Sequence, residues 1–361
     1  MHAAEAQARP AGEMLEVYDY HLPPERIAQQ PAPRRVQARM LVLVRGGGLV
    51  HQRVAHLTRW LEAGDLLVVN DTRVVPARLR ARKPTGGGVE VFLLAPARPL
   101  GSEGEAELHE ALLRSHRPLR PGARLRLEGE PPVWLEVVER GPRGRAVVRV
   151  PGSGLELARR YGQVPLPPYI RRPAGPTPGD ASRYQTTYAA VEGAVAAPTA
   201  GLHLSRRLMA ALARRGVELA RLTLHVGYGT FAEPDPAELA AGRLHAEWVE
   251  LPEETCAAVE ACRRRGGRVI AVGTTSCRAL EWRAGPGGVP RPGRGWCELL
   301  IAEGHRFRVV DGLLTNFHLP RTTLLMLVSA LAGRRRVLAA YAEAVRRGYR
   351  FYSYGDAMLI L

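Results

Sequence analysis

The sequence predicts an α/β (α+β) protein in which a small all-β domain is inserted into a larger domain of helices and strands. The first observation is a run of short β-type segments between about residues 83 and 150, separated by Gly and Pro. The second is an alternation of helical and strand patterns beyond residue 200. With 361 residues, 46% of them hydrophobic, the chain can bury a full core and is long enough for two domains.

The β-type region opens with a glycine run at residues 86–88, followed by the apolar segment 89–94. Three more short segments follow, at residues 124–127, 133–138 and 145–150. This spacing is typical of a small barrel or sandwich. We therefore predict an inserted β domain over residues 83–157 and a large domain formed by residues 1–82 and 158–361. The Gly- and Pro-rich stretch 285–295 is expected to be an exposed loop.

In the large domain, a helix is predicted over residues 205–215, with Ser205 as cap and Gly216 at its end. A strand at 222–226 follows, in which His225 points away from the apolar side. A further helix at 252–265 and a strand at 268–272 lead to the segment Gly273-Thr274-Thr275-Ser276, which opens another helix. Free backbone N–H groups and hydroxyls at such a junction can bind an anion or a ribose, although the pattern taken alone favours an ordinary capped helix.

Three histidines stand beside Gly, Thr or Asn. Asn316 and His318 directly precede a very apolar helix at residues 324–331, capped by Thr322 or Thr323 and ended by Gly333. We expect His318 to be presented by this helix rather than packed. His203 precedes the Ser205 helix, and His225 ends a strand. A single histidine is more often structural than catalytic, but three in such settings favour a functional site.

The composition indicates a polyanionic partner. The formal charge is +16, and Lys83 is the only lysine beside 50 arginines, which bind phosphate in bidentate fashion. A generally basic surface is the alternative. The four cysteines form no Cys-x-x-Cys pair, so no metal site is expected, and the absence of a long apolar run or a signal-type leader predicts a cytoplasmic protein with reduced thiols.

Several segments together resemble one family, the S-adenosylmethionine:tRNA ribosyltransferase-isomerases of queuosine biosynthesis. The resemblance runs from about Leu15 to the C-terminus, in the order expected for the family. Its motifs lie at residues 18–29, 64–74, 165–171, 183–186, 196–203, 224–231, 271–276, 313–328 and 349–358. Val36 and Ala38 depart from it, because the family commonly has Asp and Ser there, which argues against a polar role for that turn.

The resemblance implies a large domain with a mixed, partly closed sheet and an inserted β-barrel. It also implies an activity: transfer of the ribosyl part of S-adenosylmethionine to 7-aminomethyl-7-deazaguanine in the tRNA anticodon and its isomerisation, giving epoxyqueuosine-tRNA, adenine and methionine. S-adenosylmethionine is then a co-substrate, and no prosthetic group or metal is needed. The expected partner is a tRNA with a GUN-type anticodon, and the protein is expected to be a monomer that does not bind membranes.

The same resemblance suggests roles for individual residues. The catalytic candidates are His318, His225, His203 and Asp356. The candidates for binding substrate are Thr199, Gly201, Gly227, Thr230, Thr274, Thr275, Asn316 and Tyr354. The candidates for binding tRNA are Arg73, Arg171 and Arg183.

Some of these assignments have alternatives. Asp356 fits a turn cap as well as a catalytic group, and Arg73 is directed either to a phosphate or to Asp71, within an Asx-type turn at residues 70–72. His245 and Glu247 alternate onto one strand face and are weaker candidates for the site.

Two other functions compete with the one that the resemblance implies. An S-adenosylmethionine-dependent RNA methyltransferase is disfavoured because no Gly-x-Gly-x-x-Gly turn is present, and a non-catalytic RNA-binding protein leaves the histidines unexplained.

Overall fold

The computed structural model of the chain describes residues 11–227, 229 and 234–361. The helices are α1 (Ala11–Glu16), α2 (Gly154–Tyr161), α3 (Asp180–Arg183), α4 (Arg206–Arg214), α5 (Pro236–Ala240), α6 (Glu253–Arg264), α7 (Thr274–Trp282), α8 (Thr323–Ala332) and α9 (Arg334–Arg346). The strands up to residue 151 are β1 (Arg39–Leu43), β2 (Leu49–Arg53), β3 (Leu66–Asn70), β4 (Thr72–Val74), β5 (Arg78–Arg82), β6 (Gly88–Leu93), β7 (Gly101–Glu103), β8 (Ala106–Ser115), β9 (Arg124–Leu127), β10 (Trp134–Arg140) and β11 (Arg145–Pro151). The later strands are β12 (Gly162–Gln163), β13 (Val191–Ala194), β14 (Glu218–His225), β15 (Arg243–Leu251), β16 (Val269–Val272), β17 (Gly293–Leu299), β18 (Gly312–Asn316) and β19 (Ala357–Ile360).

A mixed sheet forms the centre of the large domain, in the order β17-β15-β14-β3-β16-β18-β19-β1-β2. Its middle strands β14, β3, β16 and β18 run parallel to one another, whereas β15, β17 and β19 introduce antiparallel pairs. All five residues of β3 are buried, as expected for a parallel strand covered on both faces. The predicted mixed sheet with helices is confirmed.

The second sheet closes on itself. Its ring order is β11-β10-β9-β5-β6-β8, and β11 pairs with β8 to complete a six-stranded antiparallel barrel. Alternate residues point inward, so that Leu79, Val91 and Val148 are fully buried in one apolar core. Because the sheet is closed, the inserted region is a barrel and not a sandwich, the two alternatives that the strand spacing left open. Two of its strands, β5 and β8, were not predicted, and β5 lies before residue 83, so the division at residues 83 and 157 stays a prediction.

The helix that follows the Asn316 and His318 segment forms as predicted. The Thr322 hydroxyl accepts a hydrogen bond from the N–H of Leu325, and Gly333 ends α8 with a φ of 87°. The predicted Ser205 cap of α4 is also confirmed, because its hydroxyl accepts from the N–H of Leu208. Both helices therefore begin at defined residues, which holds the preceding polar segments in place.

The stretch 285–295 is not simply a loop. Its last three residues belong to β17, whose Gly293 pairs with Leu251 of β15 at the edge of the sheet. The loop prediction was wrong there because Gly and Arg at an exposed edge strand lack an apolar alternation. Among the described residues, no helix is long and apolar enough to cross a membrane.

Candidate active site

The parallel strands of the large sheet end at a common cavity, whose empty space, including the part open to solvent, is about 540 Å³. Strand β16 ends just before Gly273, β18 ends at Asn316, and β14 ends just before Val226. Ligand sites of open α/β sheets commonly lie at this carboxyl edge, where the loops after parallel strands meet. The cavity is lined by Tyr169, Ala196, Ala197, Pro198, Thr199, Ala200, Val226, Gly273, Thr274, Thr275, Thr315, Asn316, His318, Leu324, Tyr352 and Ser353.

Five of the predicted site residues meet in this cavity although they come from three distant parts of the chain. They are Thr199, Thr274, Thr275, Asn316 and His318. Gly273 precedes α7 with a φ of 90°, a conformation that favours glycine, and no side chain caps this helix. The junction therefore leaves N–H groups and two threonine hydroxyls at the cavity, rather than an ordinary side-chain cap.

His318 is packed, contrary to the expectation that it is merely presented. It is 5% exposed, and its Nε2 lies 3.0 Å from the Thr315 hydroxyl. Its backbone N–H donates to the Tyr341 hydroxyl at 3.1 Å, and its carbonyl accepts from the Tyr20 hydroxyl. Burial lowers the pKa of His318 to about 3, so the ring is neutral near pH 7.

His203 lies behind the cavity wall and contacts Asn316. The Asn316 side-chain nitrogen is 3.2 Å from His203 Nε2 and also donates to the carbonyl of Tyr352 at 3.1 Å. An amide nitrogen only donates, so this His203 nitrogen accepts and the ring is uncharged. Burial is the main cause that lowers the pKa of His203 to about 4; Arg350 and Arg35 lower it further, against the opposing effect of Asp356.

The side-chain oxygen of Asn316 is the clearest candidate for a contact with a ligand. Asn316 is 3% exposed, and its Oδ1 is buried without a hydrogen-bond partner among the described residues. A buried acceptor without a partner costs free energy, which a bound donor would recover. Because Asn316 lines the cavity, this oxygen marks a place for a ligand hydroxyl or N–H group.

His225 lies beside the cavity rather than in its lining. Its Nδ1 is 2.8 Å from the Thr72 hydroxyl, and Gly193 passes so close that a Cβ there would lie 2.7 Å from the ring. Burial, followed by the charge of Arg98, lowers the pKa of His225 to about 4. All three candidate histidines are therefore neutral near pH 7, which suits acceptance of a proton rather than its initial donation.

Asp356 is engaged by the backbone and by two arginines. Its carboxylate accepts the N–H groups of Arg39 and Arg350, each at 2.8 Å, and one oxygen lies 3.4 Å from Arg39 Nε. This is the arrangement that the turn-cap alternative predicts. Tyr354 packs edge-on against Tyr184 and lines a smaller pocket together with His203. Neither Asp356 nor Tyr354 is among the residues that line the main cavity.

The two glycines predicted to bind substrate have local structural contacts. A Cβ on Gly201 would lie 2.0 Å from the Tyr188 hydroxyl, so the backbone approaches closely there. The N–H of Gly227 donates to Glu247 at 3.3 Å, and Glu247 is paired with Arg278 at 2.5 Å in the protein interior. Thr230 lies outside the described residues.

The three arginines predicted to bind tRNA differ. Arg73 is half-buried and donates to the carbonyl of Ala189 at 2.5 Å rather than to Asp71, while Arg183 donates to the carbonyls of Ala32 and Pro33. Only Arg171 is exposed with a guanidinium that makes no contact among the described residues. The Asx turn is confirmed, since Asn70 Oδ1 accepts from the N–H of Thr72 at 3.1 Å.

Sequence reasoning missed the aromatic wall of the cavity. The rings of Tyr169 and Tyr352 are 4.0 Å apart, and the Tyr169 hydroxyl is hydrogen-bonded to Ser353. Tyr352 has a φ of 72°, which is unusual for a bulky residue and is often found at functional sites. Both tyrosines lie within the motifs that carry the resemblance, and this was the one sequence feature that could have indicated their place in the site.

Fold and cavity together define an α/β protein with a small-molecule site at the carboxyl edge of its sheet. A family model described as queuosine biosynthesis protein matches residues 15–360. The chain is 51% identical to S-adenosylmethionine:tRNA ribosyltransferase-isomerase of Prochlorococcus marinus (strain MIT 9313), covering 97% of this chain and 96% of that one. It is 50% identical to the protein of the same name from Acidiphilium cryptum (strain JF-5), covering 95% and 98%.

A solved structure is also similar. The crystal structure of S-adenosylmethionine tRNA ribosyltransferase from Thermotoga maritima aligns with a TM-score of 0.53 at 34% identity, covering 96% of this chain and 100% of that one. The chain therefore belongs to the queuosine biosynthesis protein family.

Proposed function

We propose that this protein transfers and isomerises the ribosyl part of S-adenosylmethionine onto 7-aminomethyl-7-deazaguanine in a tRNA anticodon. The products are epoxyqueuosine-tRNA, adenine and methionine. Family membership and the names of the relatives support the reaction class. The observation that carries the proposal for this chain is the buried, unpartnered Asn316 Oδ1 in a cavity that also presents threonine hydroxyls.

The polar groups of the cavity suit a ribose. Asn316 Oδ1 can accept from a ribose hydroxyl, and Thr199 and Thr274 can donate to or accept from its oxygens. The N–H groups at the start of α7 can receive partial negative charge as the ribose ring opens. The packed rings of Tyr169 and Tyr352, tilted by 50° to each other, offer an aromatic surface for a purine-type base.

His318 is our candidate for the base. The sulfonium acidifies the adjacent C5′ protons, and a neutral imidazole can accept one of them to leave an ylide. Loss of adenine and opening of the ribose ring then generate the electrophile that the aminomethyl nitrogen attacks. Because burial makes protonated His318 a strong acid, the same residue can return the proton to the departing adenine.

The placement of the other candidates suggests supporting roles. His203 orients Asn316 through their hydrogen bond. His225 orients Thr72 in the same way, next to Val226, which lines the cavity. We extend the proposal to a tRNA with a GUN-type anticodon as partner, to a monomeric protein and to a cytoplasmic location. The division into a large domain of residues 1–82 and 158–361 and an inserted β-barrel domain of residues 83–157 is proposed with it, with strand β5 of the barrel lying just before residue 83.

An isotope experiment tests the reaction class, because ribosyl and methyl transfer move different atoms of one co-substrate. Enzyme and tRNA that carries the aminomethyl-deazaguanine receive S-adenosylmethionine labelled either in the ribose or in the methyl group. Only the ribose label should enter tRNA, with adenine and methionine released in step, in the presence or absence of EDTA. Methyl label in tRNA, or release of S-adenosylhomocysteine, would establish a methyltransferase instead, and binding without any transfer would establish a non-catalytic RNA-binding protein.

A further inference from the structure

A second and larger depression lies between the barrel and the proline-rich segment that follows it. Its empty space, including the part open to solvent, is about 1400 Å³. It receives side chains from β5, β6 and β8 on one side and from residues 163–176 on the other. Six arginines line it, and we call it the arginine groove: Arg78, Arg80, Arg114, Arg143, Arg171 and Arg172. Glu90 is the single acidic residue in the lining.

Four of these guanidinium groups are available to a ligand. Arg80, Arg114, Arg143 and Arg171 are exposed, and their side chains make no hydrogen bond or ion pair among the described residues. Elsewhere in the protein, arginines such as Arg73 are tied to backbone carbonyls. Several free cations facing one depression repel one another, and a bound polyanion relieves that repulsion.

The remaining two arginines hold the groove wall in place. Arg172 forms two hydrogen bonds with the Asp180 carboxylate, at 2.9 and 3.0 Å, and Arg78 donates to the carbonyl of Leu166 at 3.1 Å. Gln29 further fixes the wall, because its amide donates to the carbonyl of Tyr169 and accepts from the N–H of Arg171, both at 2.8 Å. The wall is therefore ordered without a ligand.

This wall separates the groove from the candidate active site. Pro168, Ile170 and Arg171 line the groove, whereas Tyr169, in the middle of the same segment, lines the active-site cavity. A chain seated in the groove is thus one residue's thickness away from the cavity. A nucleotide turned out of that chain can present its base to the cavity while its neighbours stay in the groove.

We propose that the arginine groove binds the phosphodiester backbone of the tRNA that flanks the reacting nucleotide. The proposal rests on the proposed function, since it assigns the partner's backbone to a surface adjoining that site. Arginine suits this role because its planar group binds phosphate oxygens in pairs and stacks on unpaired bases. Glu90 lies 3.9 Å from Arg78 and stands opposite Arg80 and Arg114 on the two neighbouring strands, so it offsets part of their charge. Six arginines against one glutamate still leave the lining strongly positive.

The test compares two double variants of the full-length protein with equal changes of charge. The groove variant is Arg80→Gln with Arg143→Gln. The control is Arg117→Gln with Arg120→Gln, two exposed arginines of the barrel region that do not line the groove. The probe is an unmodified RNA anticodon stem-loop, whose dissociation constant is measured over a range of salt concentrations without S-adenosylmethionine.

The groove variant should bind the stem-loop about tenfold or more weakly at moderate salt, with a log–log salt slope shallower by about one to two. The control should stay within about twofold of the parent. Equal losses in both variants, or no loss in the groove variant, would overturn the proposal, as would a parent protein that does not bind the RNA. Unchanged S-adenosylmethionine binding shows that the variants are folded. Normal RNA binding without ribosyl transfer by the parent would instead count against the proposed function alone.

Discussion

The buried neutral His318 predicts a specific dependence of stability on pH. Its pKa is about 3 in the folded protein because of burial, against about 6.5 in an unfolded chain. Above pH 6.5 both states hold a neutral ring, and His318 has no effect on the pH dependence. Between pH 6.5 and 3 the unfolded chain binds a proton that the folded protein does not, so the free energy of unfolding falls as the pH falls.

The size of the effect follows from the shift. Each pH unit in that window removes about 1.4 kcal/mol, so acidification from pH 6.5 to 5 removes about 2 kcal/mol through this residue alone. His203 and His225 act in the same direction, since their pKa values are also lowered, to about 4.

The variant His318→Gln isolates this contribution. Glutamine can still form a hydrogen bond with the Thr315 hydroxyl but does not titrate. Urea unfolding of both proteins at pH 7.5, 6.5, 5.5 and 5.0 should show the parent losing about 2 kcal/mol more than the variant between pH 6.5 and 5. Since His203 and His225 are present in both proteins, their effects cancel. Parallel curves for parent and variant would refute the placement of a neutral, desolvated ring at this position.

Three further predictions concern the surroundings of the cavity. Asn316→Ala should abolish ribosyl transfer and lower the free energy of unfolding by about 1–3 kcal/mol, because it removes the buried bond to the Tyr352 carbonyl; retained turnover would contradict the role of Asn316. Tyr169→Ala should weaken binding of S-adenosylmethionine in equilibrium dialysis by about tenfold, whereas Tyr169→Phe, which keeps the ring, should bind like the parent. Glu247→Gln should cost about 3–5 kcal/mol in urea unfolding because Arg278 is left as an unpaired buried charge. The matched change at the surface pair of Arg243 and Glu298, Glu298→Gln, should cost less than about 1 kcal/mol, and equal costs would contradict this account.

The features that local sequence determines were predictable. The cap at Thr322, the glycine end of α8 at Gly333 and the Asx turn at Asn70 each depend on residues within a few positions, and all three form as predicted. Strand β5 does alternate Arg with Leu and Ala, but only two apolar residues, Leu79 and Ala81, carry the pattern, which is too short to predict a strand. Closure of the barrel by β8 and β11 is a long-range pairing that no local pattern contains.

The burial of His318 shows the same limit within the site. Its sequence neighbours indicated a polar segment ahead of a helix, which is correct, but its environment is set by Tyr20 and Tyr341, which lie far from it in the chain. The aromatic pair of Tyr169 and Tyr352 is likewise assembled only by folding. The resemblance to a family named motifs that contain these residues, yet it assigned no role to Tyr169 or Tyr352.

Burial also changes how the site can work. A ring held near pKa 3 is a weaker base than a solvated histidine, but the acid it forms is correspondingly stronger. The proposed reaction first removes a proton beside the sulfonium and then protonates the departing adenine. A group with such a low pKa helps both steps only if the proton taken in the first step is the one returned in the second. In the proposed mechanism Asn316 holds the substrate during this exchange, because its amide nitrogen is already bonded to His203 while its buried Oδ1 has no partner among the described residues. In that mechanism one neutral acceptor serves the reacting carbon and uncharged groups recognise the ribose, which avoids a fixed cation next to the positively charged sulfonium.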